Sequence, residues 1–322
     1  MNIYDIAREA GVSIATISRV INGKSMVSGK TRDRVEAIMK KYGYTPDPTA
    51  RSLVVKATKT VAILAGDLRD PGSGGICCAV ERGLRGTGYA VLLCCTDGTA
   101  QGISGGFAAA LARRADAVVA VEMVHEAEGA AVEAAKRVPV VVVDDFIDAS
   151  GVYSVICDEI YGMMLAVGHL TGRGRRDLCY VQDSAESYGA KKLEEGFEVG
   201  MAMNGLSSGG RVIEAERGFD GGYSCAETLL RDGRALDAVI CGDDSTAAGF
   251  VHCLRQNFLD VPEDVAVVAL RNTPVAQCAE PPLTAVDRQS SAAAKLLTGI
   301  FAGGRAERKS VVLPRLVVRE SA

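Results

Sequence analysis

No stretch of this chain approaches the ~18 consecutive apolar residues that a membrane-spanning helix requires. The opening residues, "MNIYDIAREAGV", lack the basic-then-apolar layout of a secretory signal, so a cytoplasmic protein without membrane contact is expected. Cysteine occurs ten times but never as CxxC. The pairs Cys77-Cys78 and Cys94-Cys95 sit in apolar runs and read as buried small residues in a reducing compartment, not as disulfides or zinc ligands. HExxH is missing too, and His125, His169 and His252 fall on expected loop or helix positions with no acid at motif spacing. Neither a metal nor a cofactor is therefore expected. "RGLRGTGYAV" has glycines but no GxGxxG between strand and helix, and reads as a helix end and turn. One GxSxG match exists, Gly102-Ile103-Ser104-Gly105-Gly106. A nucleophile elbow needs its Ser on a sharp turn directly after a strand, and the expected strand ends several residues earlier, at Cys95. The expectation is a protein that is not an enzyme.

What the chain does have is an uneven charge. Its 322 residues are 48% hydrophobic, enough for a large core and two or three domains. Residues 1–59 hold eleven Lys and Arg against five Asp and Glu, while the remainder holds 25 against 35. A basic head on an acidic body suggests that the head meets a polyanion.

Three short helices fit residues 3–43. Ile3, Ile6, Ala7 and Ala10 share one helical face, and Gly11 ends that helix. Ser13 can cap a second helix whose Ile17, Val20 and Ile21 turn inward and which stops at Asn22-Gly23. A third starts near Ser28, runs through Val35, Ile38, Met39 and Tyr42, and ends at Gly43. The first two, joined by a tight glycine turn, form a helix-turn-helix, whose second helix would lie in the major groove. The outward face of that helix carries Ala15, Thr16, Ser18 and Arg19, where a solvated face usually carries Lys and Glu. Small residues let a backbone approach bases, hydroxyls suit phosphates, and an arginine fork suits guanine O6 and N7. Ile14 and Ala15 offer apolar contact to a base such as thymine. Farther on, Asp47 and Pro48 suit the start of a helix over Thr49–Val55 that is too short to stand alone in water. Leu53, on one face with Ala50, is an apolar wedge of the kind that enters a base step from the minor groove.

The stretch "IYDIAREAGVSIATISRVINGKSMVSGKTRDRVEAIMKKYGYTPDPTARSL" resembles the DNA-binding head and hinge of LacI/GalR-family transcriptional regulators. The resemblance implies base-reading positions at Ile14, Ala15 and Arg19. It implies backbone contacts from Ser13, Thr16, Ser18, Asn22, Ser28, Thr31 and Tyr44, and minor-groove roles for Ala50 and Leu53. Asp47 departs from the usual Asn, remaining a good cap but bringing negative charge near phosphates. The family works as a dimer on near-palindromic operators.

From Thr60 onward, β-branched runs alternate with amphipathic stretches. Strands are expected at Thr60–Ala65, Ala90–Cys95, Ala117–Val121, Val140–Val143, Leu178–Val181, Ala238–Cys241 and Val265–Ala269. Helices are expected at Ile76–Thr87, Glu126–Arg137, Glu159–Leu170 and Thr246–Asn257. Such alternation predicts parallel sheets covered on both faces, with ligands outside the strands' carboxyl ends. "GYAVLLCCTD", "VPEDVAVVAL", "PPLTAVDRQ" and "VVLPRLVVRES" resemble the same family's effector-binding core, a two-lobed fold like that of periplasmic sugar-binding proteins. The expected fold class is thus a small all-α helix-turn-helix head plus a two-lobed α/β core. Its domains are 1–46, a hinge at 47–59, and a core at 60–322. The first lobe would comprise 60–156 and 287–313 and the second 157–286 and 314–322, with crossings near 157, 286 and 314. No leucine heptad follows to suggest a tetramer.

Sugar-binding relatives usually place an aromatic pair after the first strand, where "DLRDPGSGG" has Asp70 and Gly72-Ser73-Gly74. The usual Arg before the glycine of "EEGF" is Leu193. Asp243-Asp244 replaces the usual Asn-Asp pair, and Arg271-Asn272 replaces the usual Asp-Asp pair. A sugar pocket needs aromatic faces and bidentate polar groups, so no ordinary hexose is expected. The effector is then an unusual charged molecule, a partner protein, or nothing at all. Asp243 and Arg271 would stand at neighbouring strand ends facing the same cleft, either paired with each other and partly filling the site or separately solvated at its rim. The expected function is a sequence-specific DNA-binding regulator, a repressor. A cytoplasmic small-molecule sensor or solute-binding protein whose head has another role is the alternative.

Overall fold

The computed structural model describes residues 2–21, 26–44, 57–183, 188–208, 211–233, 236–288, 291–301 and 306–322. The chain divides into two compact units, Met1–Lys59 and Thr60–Ala322. The first holds α1 (Ile3–Ala10), α2 (Ile14–Ile21) and α3 (Gly29–Lys41). The Asn2 side chain accepts from the amides of Tyr4 and Asp5, and the Asp5 carboxylate accepts in return from the Asn2 amide. This closes two of the donors that a helix start leaves open. Gly11 ends α1 at φ 61°, a left-handed conformation that glycine adopts at little cost. Ser28 caps α3 by accepting from the Thr31 amide. With the ends fixed, Ile6, Ala7 and Ala10 meet Ile17, Val20 and Val35 in one buried cluster. Helices of this length are marginal alone, so the shared cluster is what holds them.

The second unit begins with β1 (Thr60–Ala65), α4 (Pro71–Leu84), β2 (Ala90–Cys95), α5 (Ala100–Ala112), β3 (Ala117–Ala120), α6 (Glu128–Ala135), β4 (Val140–Val143) and β5 (Val152–Cys157). It continues through α7 (Glu159–Gly172), β6 (Leu178–Asp183), α8 (Tyr188–Met203), β7 (Val212–Ala215), α9 (Phe219–Arg231), β8 (Ala238–Cys241), α10 (Asp244–Gln256), β9 (Ala266–Ala269), α11 (Pro274–Cys278) and β10 (Thr284–Asp287). Then come α12 (Ala292–Phe301), β11 (Lys309–Val312) and β12 (Arg315–Val317). Two six-stranded sheets result, ordered β11-β5-β4-β3-β1-β2 and β12-β10-β9-β8-β6-β7. Pairing is parallel except between β10 and β12. The chain therefore passes from one lobe to the other after β5, after β10 and between β11 and β12.

Each sheet is covered on both faces, and the strand period of two decides which residue goes where. In the first lobe Ala62, Leu64, Val118 and Val142 pack with Ile103 and Phe107. Their neighbours Val61, Ile63, Val119 and Val141 pack with Ile76, Val80 and Leu297 on the other face. The GxSxG match lies inside α5, so Ser104 is no nucleophile elbow. Its glycines serve close approach. A Cβ on Gly102 would stand 2.0 Å from the Thr96 carbonyl oxygen, and one on Gly106 would stand 2.9 Å from Leu64.

The cysteine expectation needs correcting. Cys78 and Cys95 are exposed, and Cys77 and Cys94 are only partly buried. For Cys94 and Cys95 the reason is that β2 is an edge strand, where an apolar run does not imply enclosure on two faces. Cys77 and Cys78 lie on α4, which buries only the face carrying Ile76, Val80 and Leu84. β5, β7, β10, β11 and β12 were not anticipated as strands. Short edge strands such as β7 and β11 are only partly buried and lack the continuous apolar run that marks a central strand.

At the crossing after β10, Arg288 sits largely buried between Asp144, which follows β4, and Glu159, the first residue of α7. Its Nη2 lies 3.1 Å from the Asp144 carboxylate, and the same nitrogen also contacts Glu159. One guanidinium thus ties both lobes to the crossing segment. Removing it leaves the buried Glu159 and the partly buried Asp144 without their shared cation. Arg288→Ala is expected to cost about 3–5 kcal/mol, read as a lower midpoint in urea denaturation.

Candidate nucleic-acid interface and inter-lobe cleft

In the head, the turn from Gly11 to Ser13 presents the start of α2. The Ser13 hydroxyl accepts from the Thr16 amide at 3.2 Å and lies 3.0 Å from the Thr16 hydroxyl. Ser28 repeats this with Thr31, whose hydroxyl lies 2.9 Å away. Inward, Ile17 and Val20 are buried; outward, Ile14, Ala15 and Arg19 are exposed, with Thr16 and Ser18 partly so. The apolar Ile14 is 39% exposed, although Ile17, one turn on, is in the core. Tyr44 is half-buried against the head's core, so its ring has a packing role as well. Asn22, Asp47, Ala50 and Leu53, together with the whole expected hinge helix, lie outside the described residues. A feature the sequence reading missed is Glu9, which accepts from Lys41 at 3.0 Å and from the Tyr42 hydroxyl at 2.9 Å, tying α1 to the end of α3.

In the core, Asp70, Glu122 and Asp144 follow β1, β3 and β4, while Arg217, Asp243 and Arg271 follow β7, β8 and β9. These are carboxyl ends of parallel strands, where α/β folds keep their clefts. Asp70 caps α4, accepting from the Ser73 amide at 3.0 Å. The Ser73 hydroxyl, itself buried, stands 2.8 Å from the Asp70 carboxylate and 2.7 Å from that of Glu122. Arg217 reaches Glu122 at 3.8 Å across the cleft. A Cβ on Gly72 would lie 3.1 Å from Arg271 Nη1, so the guanidinium lies against the first turn of α4. Burial alone would push Asp70 up, but Arg271, Ser73 and Arg217 together hold it below the usual carboxylate range.

The expected alternatives for Asp243, an ion pair with Arg271 or a solvated charge, are both replaced. Asp243 is buried and caps α10, accepting from the Ser245 and Thr246 amides at 2.8 and 3.0 Å and from the Thr246 hydroxyl. A helix start beneath it claims its oxygens. Its neighbour Asp244 is buried and accepts from the backbone amides of Asn272 and Thr273, and burial pushes its carboxyl up. Leu193 packs against the second lobe's hydrophobic core. Behind these residues lies a cavity of about 150 Å³ lined by Gly72, Ile76, Asp144, Cys157, Arg271 and Arg288 among others. Among the described residues its wall includes no aromatic ring. Glu122, Arg217 and Arg288 were missed from the sequence. The strand-end rule would have flagged Glu122, which stands two residues beyond β3.

A helix-turn-helix unit joined to a two-lobed α/β core with charged strand ends defines a class of ligand-responsive regulator architecture. Comparison with known proteins agrees with it. Residues 2–47 match the family model described as bacterial regulatory proteins, lacI family, and residues 167–322 match that of the periplasmic binding protein-like domain. The HTH-type transcriptional regulator GalR of Escherichia coli (strain K12) is 31% identical over 287 residues, covering 88% of this chain and 83% of GalR. An HTH-type transcriptional regulator of Lachnoclostridium phytofermentans is 29% identical over 331 residues, covering 100% of this chain and 99% of its own. The structure of a lac repressor dimer bound to operator and an anti-inducer superimposes with a TM-score of 0.89 at 23% identity, covering 100% of this chain and 98% of that one. The chain belongs to the lacI family of bacterial regulatory proteins. It is a transcriptional regulator, as its relatives are. Among the described residues no helix is long and apolar enough to cross a membrane.

The Asp70 environment sets a pH dependence. Its folded pKa lies below the unfolded value of about 3.9, so the unfolded chain binds the proton first on acidification. The stabilisation is complete above that value and is lost as pH falls through the depressed one. Asp70→Asn keeps a capping oxygen but removes the charge. In acid titrations of stability, wild type should lose its advantage over this variant below about pH 4.

Proposed function

We propose that this protein is a repressor that binds a near-palindromic double-stranded DNA operator as a homodimer in the cytoplasm, and that it catalyses no reaction. The observation that carries the reading is the outward face of α2, where Ile14, Ala15 and Arg19 stand exposed beside the hydroxyls of Ser13, Thr16 and Ser18. Arg19 would read a guanine, and Ile14 and Ala15 would pack on base edges. Ser13, Thr16, Ser18, Asn22, Ser28, Thr31 and Tyr44 would hold the sugar-phosphate backbone. Ala50 and Leu53 would serve the minor groove at the operator centre, Leu53 as a wedge. The basic charge of residues 1–59 supports the phosphate share of this binding. A gel-shift assay with the protein's own promoter region tests the reading. Arg19→Ala should lose about 1–3 kcal/mol of operator binding and relax preference at one base pair per half-site. An equal loss on random DNA would show that Arg19 holds phosphate only.

The core would act as a regulatory module whose effector is no ordinary hexose. Supporting this are the cavity wall, which has no aromatic ring among the described residues, and its volume of about 150 Å³, below the ~300–1,000 Å³ of ordinary small-molecule pockets. Asp243, Asp244 and Leu193 are also engaged within the protein itself. Common monosaccharides are therefore expected to leave the thermal unfolding midpoint unchanged, and a clear upward shift with one of them would contradict it.

A further inference from the structure

We propose that the inter-lobe cleft carries its own latch, in which Arg217 and Arg271 of the second lobe engage Glu122 and Asp70 of the first and hold the lobes together without a ligand. Asp70 and Glu122 share one hydroxyl, that of Ser73, at 2.8 and 2.7 Å. A hydroxyl has one proton and donates to one acceptor at a time. The two carboxylates therefore form a tight negative pair that Ser73 alone does not neutralise. The compensating charge comes from across the cleft. Arg217 stands 3.8 Å from Glu122. Arg271 lies beside Asp70 without a direct ion pair between them: a Cβ on Gly72 would stand 3.1 Å from Arg271 Nη1 and 3.3 Å from Asp70 Oδ2. Its charge holds Asp70 below the usual carboxylate range.

Two positive and two negative groups thus meet across the cleft, one sign on each lobe. Separating the lobes would withdraw both guanidiniums at once and leave neighbouring carboxylates around a single buried hydroxyl. The Arg217–Glu122 contact is partly exposed and contributes little by itself; the effect belongs to the network. Space has been left for it, since a side chain on Gly72 would crowd Arg271 and one on Gly66 would strike the Glu122 carboxylate at 2.0 Å. In a ligand-closed cleft, a bound molecule supplies the bridging groups. Here the protein supplies them, and lobe closure becomes a function of ionic strength. The inference rests on the core being a regulatory module only for its consequence on DNA; closure itself is independent of that reading.

Small-angle X-ray scattering of the full-length protein without DNA tests the latch. Wild type should be compact at low salt and expand as sodium chloride shortens the screening length from ~10 Å at 0.1 M to ~3 Å at 1 M. The double variant Asp70→Asn/Glu122→Gln, which keeps the α4 cap, should be expanded already at low salt and lose the salt response. Arg217→Glu should expand the protein, and adding Glu122→Arg should restore compactness. Scattering of the neutral double variant identical to wild type at every salt concentration would overturn the latch, as would a wild type indifferent to salt or a charge reversal without rescue. A gel shift on the same samples keeps the two readings apart. Wild type that binds no promoter DNA would refute the regulatory function while leaving the scattering result standing.

Discussion

The crossing between the two lobes depends on one largely buried guanidinium. Arg288 belongs to neither lobe's sheet; it follows β10, on the segment that carries the chain back to the first lobe. Its partners, Asp144 and Glu159, come from opposite lobes. Burial by itself would favour a neutral group, yet arginine stays charged, and the carboxylate of Asp144 with its neighbours overcomes that penalty. A charge that must be matched from two directions fixes where the β10 crossing passes between β4 and α7. The strand ends of the two lobes then face each other, and the cleft follows from that.

The same architecture explains why so many cleft carboxylates are already engaged. In a parallel α/β layer each helix starts beyond the carboxyl end of a strand, so helix N-termini gather where a ligand would bind. Their first amides need acceptors. Asp70 caps α4, Thr99 caps α5, Asp158 caps α7 and Asp243 caps α10. A polar residue there therefore serves either the helix beneath it or a molecule in the cleft. Asp243 serves the helix with both oxygens. Asp70 also caps with both oxygens, but it stands at the cleft, where Arg271 of the other lobe lies beside it.

This divides what could be read from the sequence from what could not. The three head helices were legible because their caps and apolar spacing are local signals. Gly11, Ser13 and Ser28 each act within three or four residues of themselves. Central strands such as Val140–Val143 and Ala238–Cys241 were legible as continuous apolar runs, since two covered faces demand them. The edge strand β2 was legible as a strand but not as an edge, and its cysteines are partly exposed. The short or polar-interrupted β5, β7, β10, β11 and β12 were not legible. In the cleft the sequence could name strand-end residues but not their partners. Asp243 and Arg271 do follow neighbouring strands. Which way each side chain turns depended on a helix start under one and on Asp70, distant in sequence, beside the other. Glu122 and Ser73 are 49 positions apart, and no spacing rule connects them.

A latch made of the protein's own charges changes what an effector must provide. A ligand shifts a conformational equilibrium only by its differential affinity for the two states. An uncharged molecule entering this cleft would have to part Arg271 from Asp70 without replacing either charge, so its own contacts would be offset by that loss. A molecule with groups of both signs could take the place of each partner while keeping the lobes bridged. One that satisfied only the carboxylates would release the guanidiniums and favour separation. The sign of the response therefore follows from which half of the charge pattern an effector reproduces, and not from the tightness of its binding.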